Sequence, residues 1–296
     1  MIFDTKPAVI GHRGLGKGVV DGHEENTVAS FQAAVQAGLS WVEVDVRRTR
    51  DGALVAMHYP TCERGEFVTD LAAHEAAARG LISLEEVFDV IPPEVGVDVD
   101  VKTSLEDATR PRDQTTAAWL APLLDKEAAR RPLLVTSFDA AGLMILRERV
   151  PGLPLGLLTW LGFPFRKAVP MAAHLGFDAV FAHWQSYGRN DADPAPVVRE
   201  TSYSVRVAHQ AGLEVGAWCP RPQDAVRLVQ AGVDAVVVNE VPETLEALRR
   251  VGAGPAWVRG GAGTCTAAGY ARVRRAASPP TGGRVPRVPP LIEVLM

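Results

Sequence analysis

The chain has 296 residues, 47% hydrophobic and 22% charged, with a formal net charge of −4, the composition of a globular protein with one large domain or two smaller ones. No run of about 18 apolar residues is present to span a bilayer, and no basic-then-apolar start resembles a signal peptide, so a cytoplasmic protein without a transmembrane segment is expected. Cys62, Cys219 and Cys265 lie far apart without C-x-x-C spacing, which supports neither a disulfide framework nor a zinc knuckle.

In chain order, the pattern predicts a strand over 8–11, a helix over 27–37 and a strand over 41–46, each strand rich in Val, Leu or Ile. A strand over 95–101 and a helix over 115–130 follow, then strand 133–136, helix 140–149, strand 155–158, helix 165–175 and strand 179–181. Helix 194–211, strand 214–217, helix 222–230, strand 235–237 and helix 242–250 complete the series, with proline at several helix starts as a first turn allows. Phrases such as Gln36-Ala37-Gly38-Leu39 and Gln230-Ala231-Gly232-Val233 place a glycine cap directly before a strand. Eight strands alternating with helices over residues 7–251 match a single (β/α)₈ TIM barrel, an α/β fold whose usual size is about 250 residues. Residues 47–94 depart from that spacing: 54–57 reads as an extra short strand and 83–90 as a capped helix, together a short insertion covering the barrel mouth.

Beyond the barrel, residues 252–296 hold eight glycines, six prolines and six arginines against the single acid Glu293, a net of +5 that leaves −9 for residues 1–251. The tail shows no apolar period and reads as a disordered appendage. The acidic body argues against nucleic acid as a partner, which calls for a basic stripe.

In this fold the active site lies at the C-terminal ends of the strands. Three clusters fall there: Gly11-His12-Arg13-Gly14, then Glu43-Val44-Asp45, then Asp98-Val99-Asp100-Val101-Lys102. Strand side chains alternate, so Glu43 and Asp45 share a face, as do Asp98, Asp100 and Lys102. Buried acids facing inward need a cation. Glu43, Asp45 and Asp100 offer hard oxygen ligands suited to one divalent cation, Mg²⁺ or Ca²⁺, and unsuited to zinc; ion pairs with Arg13 or Lys102 are the alternative. His58, after the run 53–57, adds a second imidazole to His12. Two histidines, an arginine and a carboxylate-bound cation make a set for phosphate-ester chemistry. No Gly-x-Ser-x-Gly elbow is present, Cys62 has no evident base, and Cys219 reads as packing.

Gly11-His12-Arg13-Gly14, Glu24-Glu25-Asn26-Thr27, Glu43-Val44-Asp45-Val46, Thr49-Arg50-Asp51-Gly52 and Met57-His58 resemble, in order and spacing, the glycerophosphodiester phosphodiesterases. The resemblance covers roughly residues 7–250. It implies a metal-dependent hydrolase on a TIM barrel, acting on small-molecule glycerophosphodiesters to give an alcohol and sn-glycerol 3-phosphate. By it, His12 and His58 are the general acid and base, Arg13 contacts the phosphate, Glu43, Asp45 and Asp100 hold the cation, and Glu25 and Asn26 support the site. Lys102 is a second phosphate contact, the Ser137-Phe138 pair lines the pocket through Ser137, and Trp218 either floors it or serves as plain packing. The implied nucleophile is the substrate's own glycerol hydroxyl.

The chain departs from the family pattern in four places: Asp100 stands where Glu is usual, Tyr59 where Asp follows His, Trp218-Cys219-Pro220-Arg221 where a Trp-Thr-Val-Asn type of sequence occurs, and Asn239-Glu240 where Thr-Asp is common. They keep two other readings open: a lysophospholipase-D or sphingomyelinase-D-like lipid phosphodiesterase, and a barrel that binds a phosphorylated ligand without turnover. Deleting residues 252–296 is expected to leave the melting temperature of the remaining chain unchanged; a large fall would show that the tail is packed.

Overall fold

The computed structural model describes residues 1–188 and 197–253, all within a compact unit, Met1–Gly260. Eleven strands appear among them: β1 (Ala8–Gly11), β2 (Val19–Val20), β3 (His23–Glu24), β4 (Trp41–Arg48), β5 (Leu54–Ala56), β6 (Gly96–Val101), β7 (Leu133–Ser137), β8 (Leu155–Leu158), β9 (Ala179–His183), β10 (Glu214–Trp218) and β11 (Ala235–Val238). The sheet order β1-β11-β10-β9-β8-β7-β6-β4 closes through β1 pairing β4, and every pairing around this ring is parallel. This is the expected eight-stranded TIM barrel. A helix lies on the connection after each barrel strand, from Val28–Gln36 through Val241–Arg250.

Alternation along the strands sorts the apolar residues into two layers. Ala8, Ile10, Trp41, Leu134, Leu158, Ala179, Phe181, Ala235 and Val237 form one buried cluster with Phe3, which is the barrel interior. Their strand neighbours, such as Val9, Val42, Val44, Val135, Val180 and Val236, pack with the helices in a larger cluster. Phe3 meets Trp41 edge-on at 5.0 Å and closes the interior at the N-terminal end, where Lys6 pairs with Glu214 at 3.0 Å and Asp234 at 2.8 Å. The rings need glycines opposite them: Gly216 sits beside Phe181 in register, and a Cβ at Gly216 would lie 2.1 Å from a Phe181 ring carbon.

The insertion folds locally. A turn at Thr49–Ala53 is fastened by the Thr49 hydroxyl, which accepts from Ala53 N–H at 2.9 Å and donates to Asp51 at 2.6 Å. β5 then runs antiparallel to the end of β4. Met57 N–H donates to Asp45 C=O at 3.0 Å, and this delivers His58 to the mouth. The Ser83 capping box starts helix Leu84–Val90 as predicted.

Two local expectations change. The helix predicted over 194–211 is Thr201–Gln210; residues 197–200 are not helical, and 194–196 lie outside the described residues. The helix begins directly after Glu200, which occupies the N-cap without a side-chain cap bond. The β2–β3 hairpin after the first strand was not anticipated, because two-residue strands carry no readable period. Beyond Ala253 the tail lies outside the described residues. Gly216→Ala is expected to cost about 1–3 kcal/mol by overpacking against Phe181; an unchanged urea midpoint would contradict this account of the interior.

Candidate active site

The least exposed acid of the mouth is Asp45, with a fully buried side chain. Four groups converge on it. Arg13 Nε lies 3.1 Å and Asn26 Nδ2 3.0 Å from Oδ2, while His58 Nδ1 lies 3.0 Å and Lys102 Nζ 2.8 Å from Oδ1. Burial works against this carboxylate, yet Lys102, His58 and Arg13 hold it well below the usual range.

Glu43 is placed otherwise. Its Oε2 accepts from Arg13 backbone N–H at 2.8 Å and lies 3.8 Å from His12 Nε2, while Oε1 is buried without a hydrogen-bond partner. Burial, then the charges of Asp45 and Asp100, push Glu43 well above its ordinary value. Asp98 is the register partner of Glu43 and Asp100 that of Asp45. Asp98, bonded by Thr136 Oγ1 at 2.9 Å, is pushed well up by burial and by Glu43 and Asp100. Asp100 is also raised, chiefly by burial against the opposing pull of Lys102. Lys102 bridges Asp45 and Asp100, and those carboxylates raise it despite its burial.

One oxygen from each of Glu43, Asp45 and Asp100 lies within 4.8 Å of the others. Glu43 Oε1 and Asp100 Oδ1 are both buried and unpartnered. Two orphaned carboxylate oxygens in a set of three acids fit a hard divalent cation. Asp45 differs, since both its oxygens are already engaged by cations and donors.

The remaining predicted residues are mostly brought together. Glu25 accepts from Arg13 Nη1 at 2.7 Å and from Gly18 N–H, so Arg13, only 3% exposed, spends its charge on Glu25 and Asp45. Asn26 accepts from Asp45 N–H at 3.4 Å as well as donating to its carboxylate. Its φ of 56° and the 55° of Arg13 are the tight turns that aim both inward. His58 lacks the following Asp, but Asp45 orients its ring, and Arg47 grips its carbonyl from Nε at 3.0 Å and Nη2 at 2.7 Å.

Trp218 faces His183 at 4.4 Å and Phe138 at 5.9 Å, and donates from Nε1 to Thr159 C=O at 3.2 Å. Phe138 stacks on Trp160 at 4.4 Å and lies 5.6 Å from Lys102 Nζ. An aromatic wall thus adjoins the charged cluster. Burial lowers His183 to about 4, so it stands there neutral. Ser137 is the exception. It is buried, donating to Val101 C=O at 2.7 Å and accepting from Asp139 N–H at 3.1 Å. Because Leu134 faces inward, odd-numbered Ser137 faces the helices, and Phe138 takes the pocket position.

Sequence reasoning missed three residues. Arg47 carried no motif. Asn239 Oδ1 lies 2.6 Å from His12 Nδ1, and Cys219, read as packing, has its Sγ 3.6 Å from the same nitrogen. Burial opposes the imidazolium, but Cys219 and Asp45 leave His12 raised; burial likewise opposes the thiolate, but His12, Asn239 and Arg13 leave Cys219 lowered.

The raised carboxyls set a testable sign. A carboxyl raised on folding contributes stability below its unfolded value and loses it as pH rises through the folded value. In EDTA-treated protein, Glu43→Gln is therefore expected to gain about 1 kcal/mol or more near pH 8 relative to wild type and to flatten the loss of stability from pH 5 upward. Denaturant titrations at both pH values check this, and a destabilised variant with an unchanged slope would count against it.

The model of the glycerophosphoryl diester phosphodiesterase family matches residues 12–243. A glycerophosphodiester phosphodiesterase of Caldanaerobacter subterraneus subsp. tengcongensis is 27% identical over 268 residues, covering 83% of this chain and 99% of that protein. Among solved structures, an Oleispira antarctica phosphodiesterase in complex with the product sn-glycerol-3-phosphate aligns with TM-score 0.66 and 23% identity, over 82% of this chain and 97% of the other. The glycerophosphodiester phosphodiesterase of Thermotoga maritima aligns with TM-score 0.60 and 22% identity, over 79% and 94%. These two structural likenesses speak for the fold.

Proposed function

Because the chain belongs to the glycerophosphoryl diester phosphodiesterase family and is thus a phosphoric diester hydrolase, we propose that it cleaves glycerophosphodiesters to an alcohol and sn-glycerol 3-phosphate. The observation that carries this is the buried Glu43–Asp45–Asp100 set with its two orphaned oxygens, flanked by His12 and His58. Glu43 and Asp100 through their unpartnered oxygens, and Asp45 on releasing one of its present partners, would hold the divalent cation, Mg²⁺ or Ca²⁺, which would offset charge on the phosphoryl oxygens. Lys102 and Arg13 offset part of the negative charge of the carboxylates around it. Glu25 and Asn26 hold Arg13 and Asp45 in place.

The glycerol hydroxyl attacks phosphorus, one imidazole takes its proton, the bond from phosphorus to the leaving oxygen breaks, and the other imidazole protonates that oxygen. Water then opens the cyclic phosphate with the proton transfers reversed. His58 is set for its part by Asp45 at Nδ1, which leaves Nε2 for the substrate. Trp218 and Phe138 shape the leaving-group side. Residues 7–251 carry the strands and helices of the catalytic barrel, Phe3 and Lys6 close its N-terminal end, and the stretch 252–296 is an appendage that starts from the core contact of Ala253. A cytoplasmic setting is part of the same proposal: among the described residues no helix is long and apolar enough to cross a membrane, and Cys62 and Cys219 are free thiols.

One observation favours a second reading. Trp160 and Leu161, after β8, are 68% and 62% exposed, an apolar rim that suits a lipid phosphodiester. The test is release of glycerol 3-phosphate from glycerophosphocholine and glycerophosphoethanolamine with Mg²⁺, Ca²⁺ or EDTA. Turnover that needs metal and falls about 10²–10⁴-fold in His12→Ala and His58→Ala is expected. Silence there with cleavage of lysophospholipids selects the lipid reading, and silence on both with retained ligand binding leaves a non-catalytic barrel.

A further inference from the structure

We propose that Asn239, with Cys219 beside it, is the positioning residue that fixes the tautomer and ring orientation of His12; the catalytic consequence rests on the acid–base reading above, the tautomer does not. An amide oxygen only accepts. With Asn239 Oδ1 2.6 Å from His12 Nδ1, the proton resides on Nδ1, and Nε2 turns its lone pair toward the side of the ring where Glu43 lies at 3.8 Å. Cys219 Sγ, 3.6 Å from Nδ1, is a second and weaker acceptor for the same proton.

Both partners are built to stay where they are. Asn239 directly follows β11, at an inward position two residues after Val237. The His12 loop closes on its backbone: His12 N–H donates to Val238 C=O at 3.1 Å, and a Cβ at Gly16 would come within 2.0 Å of Asn239 C=O. Cys219 has φ of 52°, and its N–H donates to Val237 C=O at 2.8 Å. Strand alternation alone would send Cys219 outward with Val215 and Ala217. The left-handed turn breaks that alternation and brings Sγ to the imidazole, a strained conformation of the kind that clusters at functional sites. Two departures from the family pattern, from different strands, thus meet on one ring nitrogen.

The test is ¹⁵N-histidine NMR of the full chain, EDTA-treated, at about pH 9, where an imidazole is neutral. Wild type is expected to show His12 protonated at Nδ1 and bare at Nε2. Asn239→Leu is expected to shift His12 toward the Nε2-protonated form and to lower kcat about tenfold or more, with KM within about twofold. Asn239→Asp keeps an acceptor and is expected to restore the tautomer and most of kcat; Cys219→Ala is expected to cost less than Asn239→Leu. A wild-type His12 protonated at Nε2 overturns the proposal, as does an Asn239→Leu protein with both tautomer and kcat unchanged. Should Asn239→Leu fail to fold, the wild-type and Asn239→Asp spectra decide. Full turnover in His12→Ala would instead remove the acid–base reading and leave the tautomer result standing.

Discussion

The mouth of this barrel depends on one buried carboxylate. Asp45 gathers Arg13, Asn26, His58 and Lys102 from four separate stretches of chain, and each of these groups then fixes something else. Arg13 carries Glu25, and its backbone anchors Glu43; Lys102 carries Asp100. A charge in that position is costly without partners, so the sequence that supplies Asp45 must supply its four partners together. The Gly-His-Arg-Gly and Glu-Asn-Thr phrases are best understood as that supply.

Around this satisfied acid stand three more, two of which, Glu43 and Asp100, keep an unpartnered oxygen. Glu43, Asp98 and Asp100 crowd one side of the interior across the β4–β6 pair, and their carboxyls are all raised by burial. Stability alone would favour apolar residues there, as in the layer below with Trp41, Leu134 and Phe181. The barrel therefore changes character along its axis: ring-filled and apolar in the layer of Trp41, Leu134 and Phe181, above the Lys6 ion pairs of the N-terminal end, and rich in carboxyls at the C-terminal end.

Much of this was legible because strand period and barrel closure are strong constraints. All eight barrel strands lie where Val, Leu and Ile runs placed them, within two residues at either end. Parity along each strand carried the acids inward and would also have excluded Ser137, had it been applied to β7: Leu134, Thr136 and Phe138 share the inner face. Other features left no periodic trace. Cys219 reaches His12 only through a positive φ, which no pattern of side-chain types announces. Arg47 acts through the backbone carbonyl of His58. The missing Asp after His58 proved not to matter for ring orientation, since the tertiary partner Asp45 does that work from β4. The start of helix Thr201–Gln210 differs from the expected one because apolar spacing fixes a helix face and not its first residue.

The pairing of His12 with Asn239 also has a meaning for synthesis. One residue follows the first strand and the other follows the last, so the ribosome delivers them at opposite ends of the domain's production. The carboxylates of β4 and β6 emerge early, long before the segment that steadies the first imidazole. A chain truncated just short of β11 would carry the acids and both histidines while lacking the seam that closes the ring. On the proposed acid–base reading competence is thereby tied to completion, and a partly made or clipped domain is unlike the finished one at His12 Nδ1.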